Sequence, residues 1–277
     1  LLGVRRPPPP WDRRIRMTRP TSPAGEPRTA AFFDFDRTII NTDGGVLFGR
    51  ELMRIYSRRL IEDRPGTLGW FVRVLRWRLR IARLIATGLC ARLLYYLKII
   101  KRSVLVNIAY SGLKGLSIDE LRLLARDFVD EYLIERAYPE ALERMRWHHH
   151  QGHQVVIATT NMKLLVEHMR THVPVDGVIG TDVLAKDGRA TGKIAGPTYG
   201  AQKAVAIREY AHGNNISLPR SYAYTDHYSD HFILPLVGHP FVVNPTRRLR
   251  RLAKKRRWTI LNFKHPVHAA GATPSDA

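Results

Sequence analysis

The sequence is poor in cysteine, in long apolar runs and in acidic residues, and these shortages limit the classes of protein to which it can belong. It contains one cysteine, Cys90, among 277 residues, so an intrachain disulfide framework is excluded and a reducing cytoplasm is the expected compartment. It offers no uncharged run of about twenty apolar residues, so no membrane-spanning helix is predicted. Its N-terminal part lacks the continuous apolar core of a secretory signal. Acidic residues are scarce, at 24 against 45 Lys and Arg, which gives a net charge of +21.

Hydrophobic residues make up 44% of the chain, enough for one large domain or a domain with an insert. We expect two segments to lie outside that core. Residues 1–29 are rich in Pro and Arg, including the run from Pro7 to Pro10. They predict a disordered basic extension, within which Met17 is the expected natural start. Residues 266–277 predict a flexible tail.

Two short acidic segments carry most of the functional information. Asp34-Phe35-Asp36-Arg37-Thr38 follows an apolar run at 30–33, and Asp226-His227-Tyr228-Ser229-Asp230 follows an aromatic run at 221–225. Each preceding run predicts a buried strand. In an open α/β sheet, ligands gather at the carboxyl ends of the strands. The two acidic tips are therefore predicted to meet around one hard cation such as Mg²⁺.

Two further segments complete a set of four motifs. Thr159 follows the hydrophobic run 154–158, and Lys203 opens a predicted helix that extends to about His212. In order and context the four motifs resemble the haloacid dehalogenase (HAD) superfamily, in subfamily IB, the branch that contains phosphoserine phosphatases. Segments 236–240 and 243–245 are similar to the C-terminal signature of that subfamily. The resemblance implies an α/β fold: an HAD-like Rossmannoid parallel sheet between helix layers, with a helical cap inserted after the first motif.

The first motif implies covalent phosphatase chemistry. Asp34 is expected to attack phosphorus and form an aspartyl-phosphate, which splits a difficult hydrolysis into two easier steps. Asp36 is expected to protonate the leaving oxygen and then to activate water. ATPases of the superfamily carry Thr at the position of Asp36 and dehalogenases lack an acid there, so Asp36 indicates a phosphohydrolase.

The other three motifs are expected to bind metal and phosphate. Mg²⁺ is expected between the Asp34 carboxylate, the Asp36 backbone carbonyl and Asp226. Thr159 and Lys203 are expected to hold the transferring phosphoryl oxygens. Asp230 is expected to orient Lys203 or a metal-bound water. One residue departs from the pattern, because position 227 is His where relatives usually have Ser.

The resemblance divides the chain into a catalytic core at residues 30–43 and 139–265 and a helical cap at 44–138. Within the cap, Ser117-Ile118-Asp119-Glu120 predicts a helix N-terminus with a capping box. The segment from Leu68 to Ile100 is apolar, aromatic and basic, and contains no acid. It fits a pair of cap helices packed on itself, with arginine stems covering apolar surface. It also fits an interfacial helix on anionic lipid, which would place the protein peripherally at the inner face of the membrane.

The core after the cap shows a regular alternation of elements. Helices are predicted over 139–150 and from about Thr246. Asp187-Gly188 predicts the turn of a β-hairpin, and a short strand is predicted at 259–261. Strands alternating with helices indicate a mainly parallel sheet.

Three functions remain open. The first is a phosphatase of a small phosphorylated metabolite such as phosphoserine, in which Asp43 occupies the place where the subfamily usually has a Glu that contacts the substrate amine. The second is a phosphatase of a lipid phosphate at the membrane surface, which the basic, apolar cap suits. The third is a non-catalytic HAD-like basic adaptor, although the intact motif residues argue against it. No nucleic-acid-binding signature is present, so no specific nucleic acid partner is expected, and the sequence predicts no oligomeric state.

Overall fold

The computed structural model describes residues 26–62, 68–100, 102–196 and 200–264. The predicted extension at 1–29 lies outside the described residues except for 26–29, where Arg28 forms a parallel bridge with Ile216. The predicted tail at 266–277 lies wholly outside them.

A seven-stranded sheet forms the centre of the described part of the chain, in the order β4-β3-β2-β1-β5-β6-β7. Its strands are β1 (Ala30–Phe33), β2 (Gln154–Met162), β3 (Gly177–Lys186), β4 (Arg189–Ala195), β5 (Tyr222–Thr225), β6 (His239–Val243) and β7 (Thr259–Leu261). All neighbouring pairs are parallel except β3 and β4, which form the predicted hairpin. Asp187 and Gly188 turn it with φ of 52° and 71°, the left-handed backbone that a two-residue hairpin loop requires.

Helices cover both faces of this sheet, and others fill the segment between β1 and β2. They are α1 (Gly44–Glu62), α2 (Leu68–Tyr96), α3 (Arg102–Ser111), α4 (Ile118–Phe128), α5 (Pro139–His150), α6 (Lys163–Glu167), α7 (Ala201–Gly213) and α8 (Arg247–Arg256). Successive residues of β1 point to opposite faces: Ala31 and Phe33 join one apolar core, while Ala30 and Phe32 join the other. Both faces of β1 are therefore buried, which explains its uninterrupted apolar sequence. The predicted α/β fold class, a parallel sheet between helix layers, is confirmed.

Helices α1 to α4 follow β1 and precede α5, where the sequence predicts a cap. Ser117 caps α4 by accepting a hydrogen bond from the Glu120 backbone N–H at 3.4 Å. The expected helix pair within Leu68–Ile100 is not present, because residues 68–96 form the single helix α2, which packs against α1 and α3. Many of its apolar side chains are exposed rather than covered. None of the described helices combines the length and the apolarity needed to cross a bilayer.

Candidate active site

The two acidic segments meet at one edge of the sheet. Asp34 follows β1 and Asp226 follows β5, and the two strands are parallel neighbours, so their carboxyl ends lie side by side. A cavity of about 220 Å³ opens between them. Its lining residues are Asp34, Asp36, Arg37, Asp43, Thr160, Lys203, Asp226, His227, Ser229 and Asp230. The structure thus gathers residues from three of the four motifs around one cavity, together with Thr160, which follows the second-motif residue Thr159.

Lys203 makes the central ionic contact of the cavity. It lies in the first turn of α7 and is 1% exposed. Its Nζ donates to Asp34 Oδ1 at 2.8 Å and to Asp230 Oδ2 at 2.7 Å. Asp230 is held in turn by the Thr225 hydroxyl, which donates to the same Oδ2 at 3.1 Å. The ammonium is therefore fixed beside Asp34, with Asp230 as its second anchor.

Burial and neighbouring charges have opposing effects on the pKa values of Lys203, Asp230 and Asp34. Burial alone would lower the pKa of Lys203, but the carboxylates of Asp230 and Asp34 outweigh it and hold the pKa above its ordinary value. Burial would likewise raise the pKa of Asp230, but the Lys203 ammonium brings the pKa below its ordinary value. The pKa of Asp34 stays raised, because burial and the charges of Asp230 and Asp226 exceed the effect of Lys203.

Asp36 is oriented by two donors from different parts of the chain. Its Oδ1 accepts from the Gly44 backbone N–H at 2.8 Å and from Asn161 Nδ2 at 3.0 Å. Burial, together with the nearby Asp43 charge, raises the pKa of Asp36 to about 6. A carboxyl group with a pKa near the working pH can both give and take a proton, as a general acid and base must. No sequence motif points to Asn161, which lies only two residues beyond the expected phosphate-binding Thr159.

The cavity has an excess of negative charge that suits a cation. Its lining includes five aspartates, against Lys203 and Arg37 as the cationic side chains, with one His. Burial raises the pKa of Asp226 to about 7, and repulsion from Asp230 adds to that rise. The carboxylates of Asp34 and Asp226 and the carbonyl of Asp36 are hard oxygen ligands of the kind that Mg²⁺ prefers. The residues expected to bind metal therefore fit the ion chemically.

Thr159 does not line the cavity. It is 1% exposed, and its Oγ1 accepts a hydrogen bond from the Asn161 backbone N–H at 3.0 Å. The next residue, Thr160, lines the cavity instead. The pairing of β2 with β3 is irregular between Ala158 and Met162, and such an irregularity changes which face a side chain points to.

Two other residues singled out from the sequence also lie at the cavity. Asp43 precedes α1, and its Oδ1 accepts from the Val46 backbone N–H at 3.2 Å, as an N-cap does. Its carboxylate nevertheless remains part of the lining. His227 lines the cavity as well, and its Nδ1 lies 2.9 Å from the Ser229 hydroxyl.

Comparison with known proteins identifies the family. The haloacid dehalogenase-like hydrolase family model matches residues 31–234. The chain belongs to this family. An inhibition of morphological differentiation protein from Streptomyces azureus is 32% identical over 253 residues, covering 90% of this chain and 83% of that protein. A phosphoserine phosphatase from Mycobacterium tuberculosis is 30% identical over 267 residues, covering 92% and 80%.

Solved structures agree with the fold. A protein with unknown function from Bordetella pertussis Tohama I superposes with a TM-score of 0.65 at 22% identity, over 85% of this chain and 98% of that one. At this level of identity, the similarity supports the fold only. Together the comparisons confirm the predicted family, fold class and enzyme class, and the chain is an HAD-type phosphatase.

A second group of metal-ligating side chains lies on a different part of this HAD phosphatase. Asp130 Oδ1 is 2.8 Å from His168 Nε2 and 2.6 Å from His172 Nε2. Among the residues that the structure describes, the ligand atoms of this trio all lie within 4.8 Å of one another. Its members belong to the segments that follow α4 and α6, not to the four motifs.

Proposed function

We propose that the protein is a Mg²⁺-dependent phosphomonoesterase that acts through an aspartyl-phosphate at Asp34. The observation that carries this proposal is the buried Lys203 ammonium, which bridges Asp34 and Asp230 in the same cavity as Asp36 and Asp226. A buried cation beside a carboxylate nucleophile supplies positive charge where the phosphoryl oxygens accumulate negative charge. The intact set of residues also argues against a non-catalytic adaptor.

The residues divide the chemistry between them. Asp34 attacks phosphorus, and the bond to the leaving oxygen breaks while Asp36 transfers its proton to that oxygen. Asp36, now ionised, takes a proton from water as the water attacks the phosphorus of the aspartyl-phosphate, which releases phosphate and Asp34. Lys203 stays charged throughout and holds a phosphoryl oxygen, with Asp230 fixing its position. Mg²⁺, held by Asp34, the Asp36 carbonyl and Asp226, would neutralise further phosphoryl charge.

The small-metabolite hypothesis and the lipid-phosphate hypothesis share this chemistry. The Mycobacterium tuberculosis relative named phosphoserine phosphatase supports a small substrate such as phosphoserine. The Asp43 carboxylate at the cavity supports it as well, since it could meet an ammonium group. The expected cytoplasmic location rests on the single cysteine, which is a free and exposed thiol.

Replacement of the nucleophile tests the proposed reaction. Asp34→Asn should abolish Mg²⁺-dependent hydrolysis of p-nitrophenyl phosphate, because an amide cannot form the acyl-phosphate. Asp127→Asn, a change of the same size at a half-exposed carboxylate of α4, is the matched control and should keep wild-type activity. Beryllium fluoride should bind to Asp34 in a crystal. Turnover of the Asp34→Asn protein near the wild-type rate would refute the mechanism.

We further propose that α2 rests on an anionic lipid surface. Six leucine and phenylalanine side chains of α2 are each more than 45% exposed, and neighbours among them are three, four or ten residues apart. They are Leu68, Phe71, Leu75, Leu79, Leu89 and Leu93. We call them the apolar stripe. Arginines accompany the stripe, and no acid occurs between residues 68 and 100. Apolar side chains with basic neighbours match an anionic interface. A second copy of the chain is a less suitable partner for this surface, because two chains that each carry a net charge of +21 repel each other.

Vesicle sedimentation tests this contact. The protein should sediment with vesicles of phosphatidylglycerol and phosphatidylcholine, much less with phosphatidylcholine alone, and should be released as salt screens the charges. Replacing the exposed Arg76 and Arg78 by Glu should remove binding. Replacing the exposed Arg251 and Lys255 of α8 by Glu changes the charge equally and should remove much less. Failure to sediment at low salt, or an equal loss in both double variants, would refute the contact.

A further inference from the structure

A second and larger cavity adjoins the catalytic one. Its volume is about 470 Å³, against about 220 Å³ for the catalytic cavity, and both are lined by Asp36, Asp43 and Thr160. These shared residues make the two cavities neighbours around the side chain that would protonate the leaving oxygen. The larger cavity therefore lies where the leaving group of a bound phosphomonoester would extend.

The walls of this larger cavity are apolar. They come from α1, α2, α3, the turn after α3 and the end of β2. The apolar side chains of these walls include Leu52, Met53, Ile81, Leu84, Val106 and Leu113. Beyond the aspartates shared with the catalytic cavity, Arg50 is the charged residue of this lining, and its side chain is exposed.

The polar tips in the walls are already engaged with protein partners. The Tyr56 hydroxyl donates to Glu120 at 2.8 Å, and Trp77 Nε1 donates to the Ser57 hydroxyl at 3.2 Å. The Tyr110 hydroxyl donates to the Thr160 carbonyl at 3.3 Å. These aromatic residues thus have their hydrogen-bonding atoms occupied and contribute ring surface to the cavity. A substrate with a polar body would find few partners here and would lose its hydration on entry.

We infer that the substrate is a phosphomonoester whose leaving group carries an apolar chain, of the lysophosphatidate class, and that the larger cavity holds this chain. The inference rests on the proposed phosphomonoesterase reaction and specifies its substrate. A volume of about 470 Å³ falls within the range of roughly 300–1,000 Å³ typical of cavities that enclose ligands of drug size. The polar catalytic cavity takes the phosphate, and the apolar walls exclude water from the chain. The small-metabolite alternative leaves these walls without a ligand.

A matched substrate pair tests the inference. Glycerol 3-phosphate and 1-hexanoyl-glycerol 3-phosphate share the phosphate and the glycerol, and differ in the acyl chain. With wild-type protein, Mg²⁺ and substrate below the micelle concentration, kcat/KM should be at least about tenfold higher for the acylated substrate. A tenfold gain corresponds to about 1.4 kcal/mol, the burial of roughly two methylene groups. A ratio near one, or a preference for phosphoserine over the acylated substrate, would overturn the inference.

Cavity-filling variants locate the effect. Val106→Trp places a large ring in the cavity and should bring the ratio of the two kcat/KM values close to one. Val104→Trp, two residues away on the same helix and 41% exposed, is the matched control and should keep the wild-type ratio. Met53→Trp fills the cavity from α1 and replaces Val106→Trp as the test if that variant unfolds. Equal ratios in all these variants would place chain binding elsewhere and overturn the assignment.

The two levels of the proposal can fail separately. If wild-type protein hydrolyses no phosphomonoester in Mg²⁺, the proposed function fails. If it hydrolyses glycerol 3-phosphate and p-nitrophenyl phosphate in an Asp34-dependent way but gains nothing from the acyl chain, the reaction stands and only the inferred substrate class is wrong.

Discussion

The hydrogen bond from Asn161 to Asp36 gives the sharpest test of how the site is organised. Asn161→Ala removes one of the two donors to Asp36 Oδ1 and leaves the Gly44 N–H. A hydrogen bond to a charged group contributes about 1.5–3 kcal/mol. If that energy holds Asp36 in its productive orientation, its loss should lower kcat by roughly ten- to a hundredfold. The KM for p-nitrophenyl phosphate should change much less, because Asn161 does not belong to the predicted phosphate-binding set.

Gly45 provides an independent route to the same effect. A Cβ at position 45 would lie 2.2 Å from Asn161 Oδ1, so Gly45→Ala must push the Asn161 side chain away. The atom it meets is the end of a side chain, which can move without unfolding the protein. Gly45→Ala should therefore reproduce the loss of kcat with an intact Asn161. Gly49→Ala is the matched control on the same helix, since a Cβ there meets nothing within 4 Å.

The positioning role of Asn161 can be tested by steady-state kinetics with p-nitrophenyl phosphate, together with urea unfolding of each variant. The expected result is low kcat for Asn161→Ala and Gly45→Ala, near-normal kcat for Gly49→Ala, and similar unfolding midpoints throughout. The double variant of positions 45 and 161 should be no worse than either single variant, because both changes remove one contact. A kcat for Asn161→Ala within twofold of wild type would refute the positioning role.

Three further predictions concern the metal, the phosphate and acid stability. Asp226→Ala should sharply raise the Mg²⁺ concentration needed for activity, because it removes one of two predicted carboxylate ligands; an unchanged requirement in a Mg²⁺ titration would contradict this. Thr160→Ala should lower kcat/KM about tenfold and Thr159→Ala less, because Thr160 lines the cavity; the reverse order would restore Thr159 as the phosphate ligand. Burial lowers the pKa of His148 to about 3, so its contribution to the free energy of unfolding is complete above pH 6.5 and is lost as pH falls toward 3. That loss is on the order of 4 kcal/mol, and His148→Gln should flatten the dependence of urea unfolding on pH in this range.

Local patterns predicted most of the sheet. The uninterrupted apolar or aromatic runs at 30–33, 155–158 and 222–224 lie in β1, β2 and β5, as expected for strands that are buried on both faces. The hairpin turn followed from Asp187-Gly188, because few residue pairs accept two positive φ angles. These elements depend on burial and on backbone geometry, and both leave a recognisable pattern in the local sequence.

Elements that depend on distant contacts were harder to predict. The expected pair of cap helices proved to be one helix, α2, which continues through Gly88 without a break. The strand β6 was not predicted, since its short sequence gains its order by pairing with β5 and β7 on either side. Helix ends and short strands of this kind are decided by tertiary packing rather than by local propensity.

The site shows the same division. Asp34, Asp36, Lys203, Asp226 and Asp230 were identified through the resemblance of the four motifs to the superfamily, and the structure brings them to one cavity. Asn161 was missed because its bond to Asp36 joins residues 125 positions apart, and no local pattern records such a contact. Which of Thr159 and Thr160 faces the cavity could not be predicted either, because it depends on an irregularity in strand pairing. There β2 advances from Ala158 to Met162 while β3 advances only from Ile179 to Thr181.

The start of α1 connects the chemistry to the predicted substrate cavity. Gly44, its first residue, donates to Asp36, and Gly45 leaves the space that Asn161 needs to do the same. One and two turns further, Gly49 and Met53 of the same helix line the apolar cavity. A leaving group seated in that cavity would therefore contact the helix that orients its proton donor. Because one rigid element performs both tasks, changes that tilt α1 should affect substrate preference and kcat together, whereas changes on the exposed face of α2 should affect neither on a small substrate.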